Sequence, residues 1–402
     1  MGGAARWVLG GVLAAVVCAG GPASPPAADA APALPAWLVP GARASWYQGS
    51  ATIPSVGTLL EQDDQGNWVD KNGKKYREVD NPSTAGAGYR QMTVIAADAA
   101  TVAVEFRTYL LMDPQGGRMM SNGTEGLVGT ARSLADYWIS PTDLAAKQEV
   151  REGGLTIRRL KYPLRGRTFD AIVFETRSGA SYQRTTYDLA TGLLLVASTS
   201  STGRGGFTPN PNGTSSFSAG STTITSTVLT DLRALKLPWG ADPTPAAVRR
   251  GLRLDFRGTY SLVVPGAPVF PQALSTALVF GAPAATWAPF RFHSALTPIA
   301  GGRPQENAVD RVAGAATTMP AWIGPATFAK LRPGTVVDDD PVTRFRTTFV
   351  GVQGGVATVV EEGPYDRYQG HYDVATGLLV GATSAQQNGV GQTQIQVRAV
   401  PR

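Results

Sequence analysis

Trp138-Ile139-Ser140-Pro141 opens a stretch that closes, 49 positions after Trp138, on Tyr187-Asp188-Leu189-Ala190-Thr191-Gly192-Leu193-Leu194. The same order of parts returns as Trp322-Ile323-Gly324-Pro325 and, 50 positions after Trp322, as Tyr372-Asp373-Val374-Ala375-Thr376-Gly377-Leu378-Leu379. Matched motifs at matched spacing mark a duplicated module, so this stretch decides the architecture of the chain. Each part also has a backbone role. Ser140 suits an N-cap, Pro141 the first helical position, and Asp143 the third, where a carboxylate meets free N–H groups. In the second copy Gly324 and Pro325 take the first two places, and Pro333-Gly334 predicts the end of the helix after about two turns. Leu144 and Phe328 give each helix one apolar side chain to point inward. At the far end Asp188 and Asp373 suit the start of a turn, and Gly192 and Gly377 the positive φ that closes it.

The duplication reaches beyond these ends. Phe106-Arg107 maps to Phe290-Arg291, Pro114 to Pro298 and Trp138 to Trp322 at one offset of 184, whereas Gly41 maps to Gly251 at 210. The first copy therefore carries about 26 more residues (210 minus 184), which the segment Asp63 to Tyr76 accounts for. Inside it, Asp70-Lys71-Asn72-Gly73 predicts a hairpin turn. A calcium loop begun at Asp70 would need glycine at its sixth position and has it at the fourth. Strand-like runs rich in β-branched and aromatic residues lie at Ala42–Ile53, Met92–Ile95 and Thr101–Met112. Others follow at Leu155–Leu164, Thr168–Thr176, Ser181–Tyr187 and Leu193–Thr199. Gly203 to Ser221 reads as a polar loop outside the core, and the strand Thr222–Leu235 finds its counterpart in Gln392–Val400. The expected fold is mainly β: two duplicated antiparallel meander modules, half-barrels or curled sheets, each with one short helix. Residues 31–236 form the first module and residues 237–402 the second.

Composition agrees with this architecture. The chain has 402 residues, 43% hydrophobic and 16% charged, with 47 Gly and 29 Pro, which fits about two domains of short strands and many turns. Residues 1–30 read as a signal peptide: Arg6, an apolar run from Trp7 to Ala19, then Ala28-Asp29-Ala30 as the cleavage pattern. An uncleaved anchor is the alternative. The single cysteine, Cys18, follows Val17 rather than a small residue, which disfavours lipidation, and the chain from Ala31 on has no thiol. The net charge of +6 is evenly split, with 21 basic and 18 acidic residues over 31–236 and 14 and 11 over 237–402. Without a clustered basic face no nucleic-acid partner is expected.

The polar residues assemble no catalytic set. His293 and His371 are the only histidines, and a triad on His371 and Asp373 would lack a G-x-S-x-G elbow. Two histidines and one cysteine cannot build a zinc site. Asp338-Asp339-Asp340, Glu361-Glu362 and Asp366 offer carboxylates for a hydrolase or a hard cation, though without an aromatic sugar platform solvated strand ends are favoured. Just past each helix the copies carry opposite charge, Arg158-Arg159-Leu160-Lys161 against Asp338-Asp339-Asp340, so the two clusters are candidates to pair. Trp138 and Trp322 are candidate ligand platforms, with burial against the following helix favoured. The ligand-binding candidates are thus Trp138, Trp322, Arg158, Arg159, Asp338 and Asp339, with no catalytic residue, metal or cofactor. The expected function is that of an exported, non-enzymatic β-rich binding or structural protein of the cell envelope or extracellular space. Its location is secreted or periplasmic, with a lipid or a cell-envelope component as possible partner and no transmembrane span in the mature chain. A carrier of an apolar ligand, a lipid or a lipoprotein acyl chain in a half-open barrel, and a carboxylate-based hydrolase are the alternatives.

Overall fold

The computed structural model describes residues 34–54, 58–76, 87–113, 117–203, 205–209, 215–218, 220–298, 302–387 and 391–400. The signal-peptide reading of residues 1–30, with Cys18, lies outside the described residues. The first copy begins with β1 (Ala42–Pro54). Three two-residue strands follow, β2 (Glu61–Gln62), β3 (Trp68–Val69) and β4 (Lys75–Tyr76), which pair into a small sheet of their own. Next come β5 (Gly88–Ala97), β6 (Thr101–Asp113) and β7 (Arg118–Thr130), the short pair β8 (Ser133–Leu134) and β9 (Trp138–Ile139), and helix α1 (Pro141–Ala145). The meander continues through β10 (Val150–Glu152), β11 (Leu155–Leu164), β12 (Arg167–Ser178), β13 (Ser181–Asp188) and β14 (Leu194–Gly203). A ribbon of β15 (Gly206–Pro209) and β16 (Ser215–Ser218) then leads to β17 (Ser221–Ala234).

The second copy holds β18 (Arg253–Val263), β19 (Gln272–Phe280), β20 (Trp287–Leu296), β21 (Gln305–Gly314) and helix α2 (Pro325–Phe328). It ends with β22 (Thr335–Asp339), β23 (Arg346–Gln353), β24 (Val356–Glu362), β25 (Asp366–Asp373), β26 (Leu379–Gln387) and β27 (Gln392–Ala399). The first sheet runs β10-β11-β12-β13-β14-β17-β1-β5-β6-β7 and the second β22-β23-β24-β25-β26-β27-β18-β19-β20-β21. The two orders agree strand for strand. In both, the last strand returns beside the first, so each meander curls without closing.

The shared motifs hold equivalent places. Ser140 caps α1 by accepting from the Asp143 N–H, with Pro141 at the first helical position. Gly324 has no side chain for this; Asp242 instead anchors the start of α2 from outside, accepting from Gly324 N at 2.7 Å and from Thr327 Oγ1 at 2.9 Å. Leu144 and Phe328 both point into the core. Asp188 accepts from Thr191 N and Oγ1, and Asp373 from Thr376 N and Oγ1, so each carboxylate closes its own turn. A Cβ added to Gly192 would lie 1.9 Å from Ile139 O and one added to Gly377 2.3 Å from Ile323 O, at φ of 73° and 76°, which is why both positions are glycine.

Two expectations need correction. Helix α2 ends at Phe328, well before Pro333, because the bonds after it tighten to a three-residue spacing, Lys330 N to Thr327 O and Leu331 N to Phe328 O. Gly203–Ser221, expected as a loop, contains the paired ribbon β15–β16. The Asp70 turn does form the predicted hairpin, and the Asp70 carboxylate is taken by its own turn through Asn72 N and Lys74 N.

Period-two alternation gives each sheet a core face and an outer face. Ala44, Trp46, Met92, Val104 and Phe106 fill the core face of the first sheet under β9 and α1, and Phe256, Leu278, Phe280 and Trp322 do so in the second. The described residues of the two copies pack as one compact unit. The join is asymmetric. The face of β23–β25 that holds Phe349, Val359 and Tyr372 in the core continues to Thr347, Glu361, Tyr368 and Asp366, and these meet the outer face of β1, β5, β6 and β7. Among the described residues no helix is long and apolar enough to cross a membrane.

Candidate functional site

The sequence-chosen residues fall into different surroundings. Trp138 and Trp322 are both 0% exposed, each bridged in β fashion to the leucine after the turn glycine, Leu193 or Leu378. The Trp138 indole donates to Thr191 O at 3.0 Å, while Trp322 Nε1 is buried with no partner among the described residues. Arg158 pairs with Asp64 at 2.5 Å and Glu175 at 3.2 Å. Arg159 donates to Ala145 O and Lys147 O, satisfying carbonyls at the C-terminal end of α1. Asp339 pairs with Arg346 on the neighbouring strand.

The candidate pairing of Arg158-Arg159-Leu160-Lys161 with Asp338–Asp340, the less favoured reading beside independent faces, is absent among the described residues. The two clusters are not equivalent either: Asp338 and Asp339 lie on β22, the counterpart of β10, whereas Arg158 and Arg159 lie on β11, the counterpart of β23. The helix-to-strand spacing differs between the copies, so position after the helix is a poor guide to strand.

Asp338 and Asp340 instead meet two arginines of the first copy. Arg233 donates to both Asp338 oxygens at 2.7 and 2.9 Å and to Asp340 Oδ2 at 3.1 Å. Arg43, 2% exposed, reaches Asp340 at 3.1 Å and holds Thr93 Oγ1 with its Nε. Gln91 completes the cluster, donating to Asp340 at 2.8 Å and to Ser45 Oγ. Burial alone would raise the Asp340 carboxyl; Arg43, the Gln91 amide, Arg233 and the Thr343 N–H outweigh it and hold the group at about 2. A second cluster lies beside the first. Arg107 donates to both oxygens of Glu361 at 2.9 and 2.7 Å and to Glu105 at 2.8 Å, while Thr317 bonds Glu105 and Thr318 bonds Glu361. Burial works against the Arg107 charge, and Glu105 and Glu361 together keep its proton more tightly held than usual. Asp366 is raised by burial although Ser121 N donates to it at 2.7 Å.

The carboxylates therefore do not converge on one cleft. Asp338, Asp340, Glu105 and Glu361 are each held by a fixed guanidinium partner, which suits registry between the copies better than acid–base chemistry. His371 is no closer to a triad. Its Nδ1 lies 3.1 Å from Thr358 Oγ1, Asp373 closes its own turn, and burial followed by the Arg398 charge lowers the imidazole.

What remains open is the outer face of the second sheet. One groove of about 590 Å³ crosses β18–β21 and is lined by Arg253, Asp255, Arg257, Ser275, His293 and Glu306, among others. Another of about 300 Å³ crosses β18 and β25–β27 over Thr259, Ser261, Arg367, Gln369, Thr383 and Gln396. Both are built on paired strands and mix hydroxyl, amide and guanidinium donors with aliphatic surface. Sequence reasoning passed over Arg43, Gln91, Arg107 and Arg233. A signal for Arg107 was present, since the near-continuous apolar runs Val102-Ala103-Val104 and Tyr109-Leu110-Leu111-Met112 mark β6 as a strand covered on both faces, which leaves Glu105 and Arg107 between them to be buried and paired.

No protein-family model matches the chain, and no curated protein matches it. Among solved structures it is similar to a protein of unknown function from Nostoc punctiforme, of the DUF3598 family, at 10% identity over 89% of this chain and 95% of that one, with a TM-score of 0.15. A score that low carries no weight for fold or function.

Proposed function

We propose that the chain is an exported, non-enzymatic β-rich protein of the cell envelope or extracellular space that works as a binding or structural module. The observation that carries this reading is the fate of the polar groups: the seam carboxylates Asp338, Asp340 and Glu361 are taken by arginines that join the copies, and the open groove over β18 and β25–β27 presents amides, hydroxyls and Arg367. The leader-like residues 1–30 support export. The carrier alternative requires an open apolar cavity on a core face. The core faces are instead occupied by the chain's own side chains, Trp46, Trp138 and Phe106 in one copy and Phe256, Phe280 and Trp322 in the other, which speaks against it. Native mass spectrometry of protein purified from its own host tests the choice. A bound polar or protein partner supports the module, and a stoichiometric lipid overturns it in favour of the carrier. N-terminal sequencing of the same material is expected to begin at Ala31 in an extracytoplasmic fraction; an intact Met1 in the cytosol contradicts export.

A further inference from the structure

Strand-for-strand equivalence makes the outer faces of the two sheets directly comparable. In the first, residues 58–76 lie across the face as a roof. The sheet donates to it throughout: Thr222 Oγ1 to Thr58 O at 3.0 Å, Ser200 Oγ to Leu60 O at 2.6 Å, and Arg184 Nη1 to Gln62 O and Asp63 O at 3.1 and 2.8 Å. Two acids of the roof meet two arginines of the sheet, Asp64 with Arg158 and Glu61 with Arg177, both at 2.5 Å. The part of the roof that touches the sheet, Thr58 to Asp64, is thus a backbone-accepting, acidic strip on a face of donors, with Lys71, Lys74 and Lys75 farther along the segment.

The cross-strand row Gly49–Ser226–Ser198–Arg184 beneath it corresponds to Thr259–Gln396–Thr383–Gln369 in the second sheet. The row Ala51–Ile224–Ser200–Tyr182 corresponds likewise to Ser261–Gln394–Ala385–Arg367. These second rows line the groove of about 300 Å³. Among the described residues no segment roofs it, since β18 passes to β19 through residues 264–271 alone. The face is again one of donors, now with apolar anchors replaced by amides and hydroxyls. Next to it Arg257 and Arg398 stand directly opposite each other on β18 and β27, both exposed and without an ion-pair partner among the described residues. Like charges in that position repel, and a carboxylate between them relieves the repulsion. Neighbouring acids are engaged or directed elsewhere: Asp255 pairs with Arg253, and Glu362 faces Arg367 across β24–β25.

We propose that the outer face of the second sheet, over β18 and β25–β27, docks an extended acidic polypeptide segment of a partner protein, laid across the strands as the roof lies across the first sheet. Its carbonyls accept from Gln369, Thr383 and Gln396, and a carboxylate sits between Arg257 and Arg398. This inference rests on the binding-module reading and names its partner class.

The test is fluorescence anisotropy with a labelled ten-residue peptide alternating Glu and Thr, its Gln-for-Glu twin, and a heparin oligosaccharide as a polyanion of another class. The Glu peptide is expected to bind, and the double variant Arg257→Gln/Arg398→Gln to weaken it about ten-fold or more. The charge-matched control Arg249→Gln/Arg303→Gln is expected to bind like the parent. Equal binding of both peptides, equal loss in both double variants, or binding of heparin alone overturns the proposal. Hydrogen exchange of the chain with a partner co-purified from its host separates the two levels. Protection elsewhere sinks this face but keeps the binding module, whereas a host preparation carrying only lipid sinks both.

Discussion

Two faces with the same strand order meet opposite fates. On the first sheet's outer side, Tyr182, Ser198, Ser200 and Ile224 are at most 1% exposed, roofed by residues 58–76, and Arg43, Gln91 and Arg107 are buried against the second copy. On the second sheet the equivalent positions are the exposed Arg367 and Gln394 and the half-buried Thr383 and Ala385. The fold is common to both, so the difference lies in what covers each face, and the residue types record it: apolar anchors and paired charges where another part of the chain lands, amides and arginines without an ion-pair partner among the described residues where no described segment does. The seam is one-way for the same reason. Acids stand on the second copy's core face and arginines on the first copy's outer face, so a chain satisfies the contact within itself instead of propagating it head to tail.

The largest expected effect is at that seam. Arg107→Ala leaves Glu105 and Glu361 buried without their cation and is expected to cost about 3–5 kcal/mol in chemical denaturation. A cost under about 1 kcal/mol would show the join to be incidental. Acid probes the neighbouring cluster. The folded Asp340 pKa, about 2, lies below its ordinary value of 3.8, so its stabilisation is fully present above pH 3.8 and fades as pH falls toward 2. The contribution is about 2 kcal/mol, and Asp340→Asn is expected to flatten that part of the stability–pH curve. The capping oxygens come next. Ser140→Ala in the first copy and Asp242→Ala in the second are expected to cost about 1 kcal/mol each, although one cap is local and the other is remote in sequence. Unequal costs would separate the copies energetically where their geometry agrees. The smallest effect has the opposite sign: Arg257→Gln removes a cross-strand repulsion on the bare face and is expected to stabilise by about 0.2–1 kcal/mol.

Much of this architecture was legible because turn chemistry is local. The Asp188 and Asp373 turns, the Pro141 and Pro325 helix starts and the constant 184-residue offset all follow from short-range backbone demands that leave fixed residue types. The extra segment after β1 was readable as a hairpin from Asp70-Lys71-Asn72-Gly73. Its service as a roof was not, because Trp68 and Leu60 reveal only that they seek burial, not which surface offers it. The partners of Asp338 and Asp340 were hidden for a similar reason. Arg43 and Arg233 lie roughly 100 to 300 positions away, and no sequence period links strands of different sheets.

The most direct measurement uses thiol accessibility, since the chain from Ala31 onward has no native cysteine. Ser200 and Ala385 occupy the same place in the two sheets, one under the roof and one on the open groove. With Ser200→Cys and Ala385→Cys made singly in a chain beginning at Ala31, a maleimide is expected to label position 385 rapidly in the native protein and position 200 only on unfolding. Equal labelling of the two, at either rate, contradicts the account of one fold covered in two different ways.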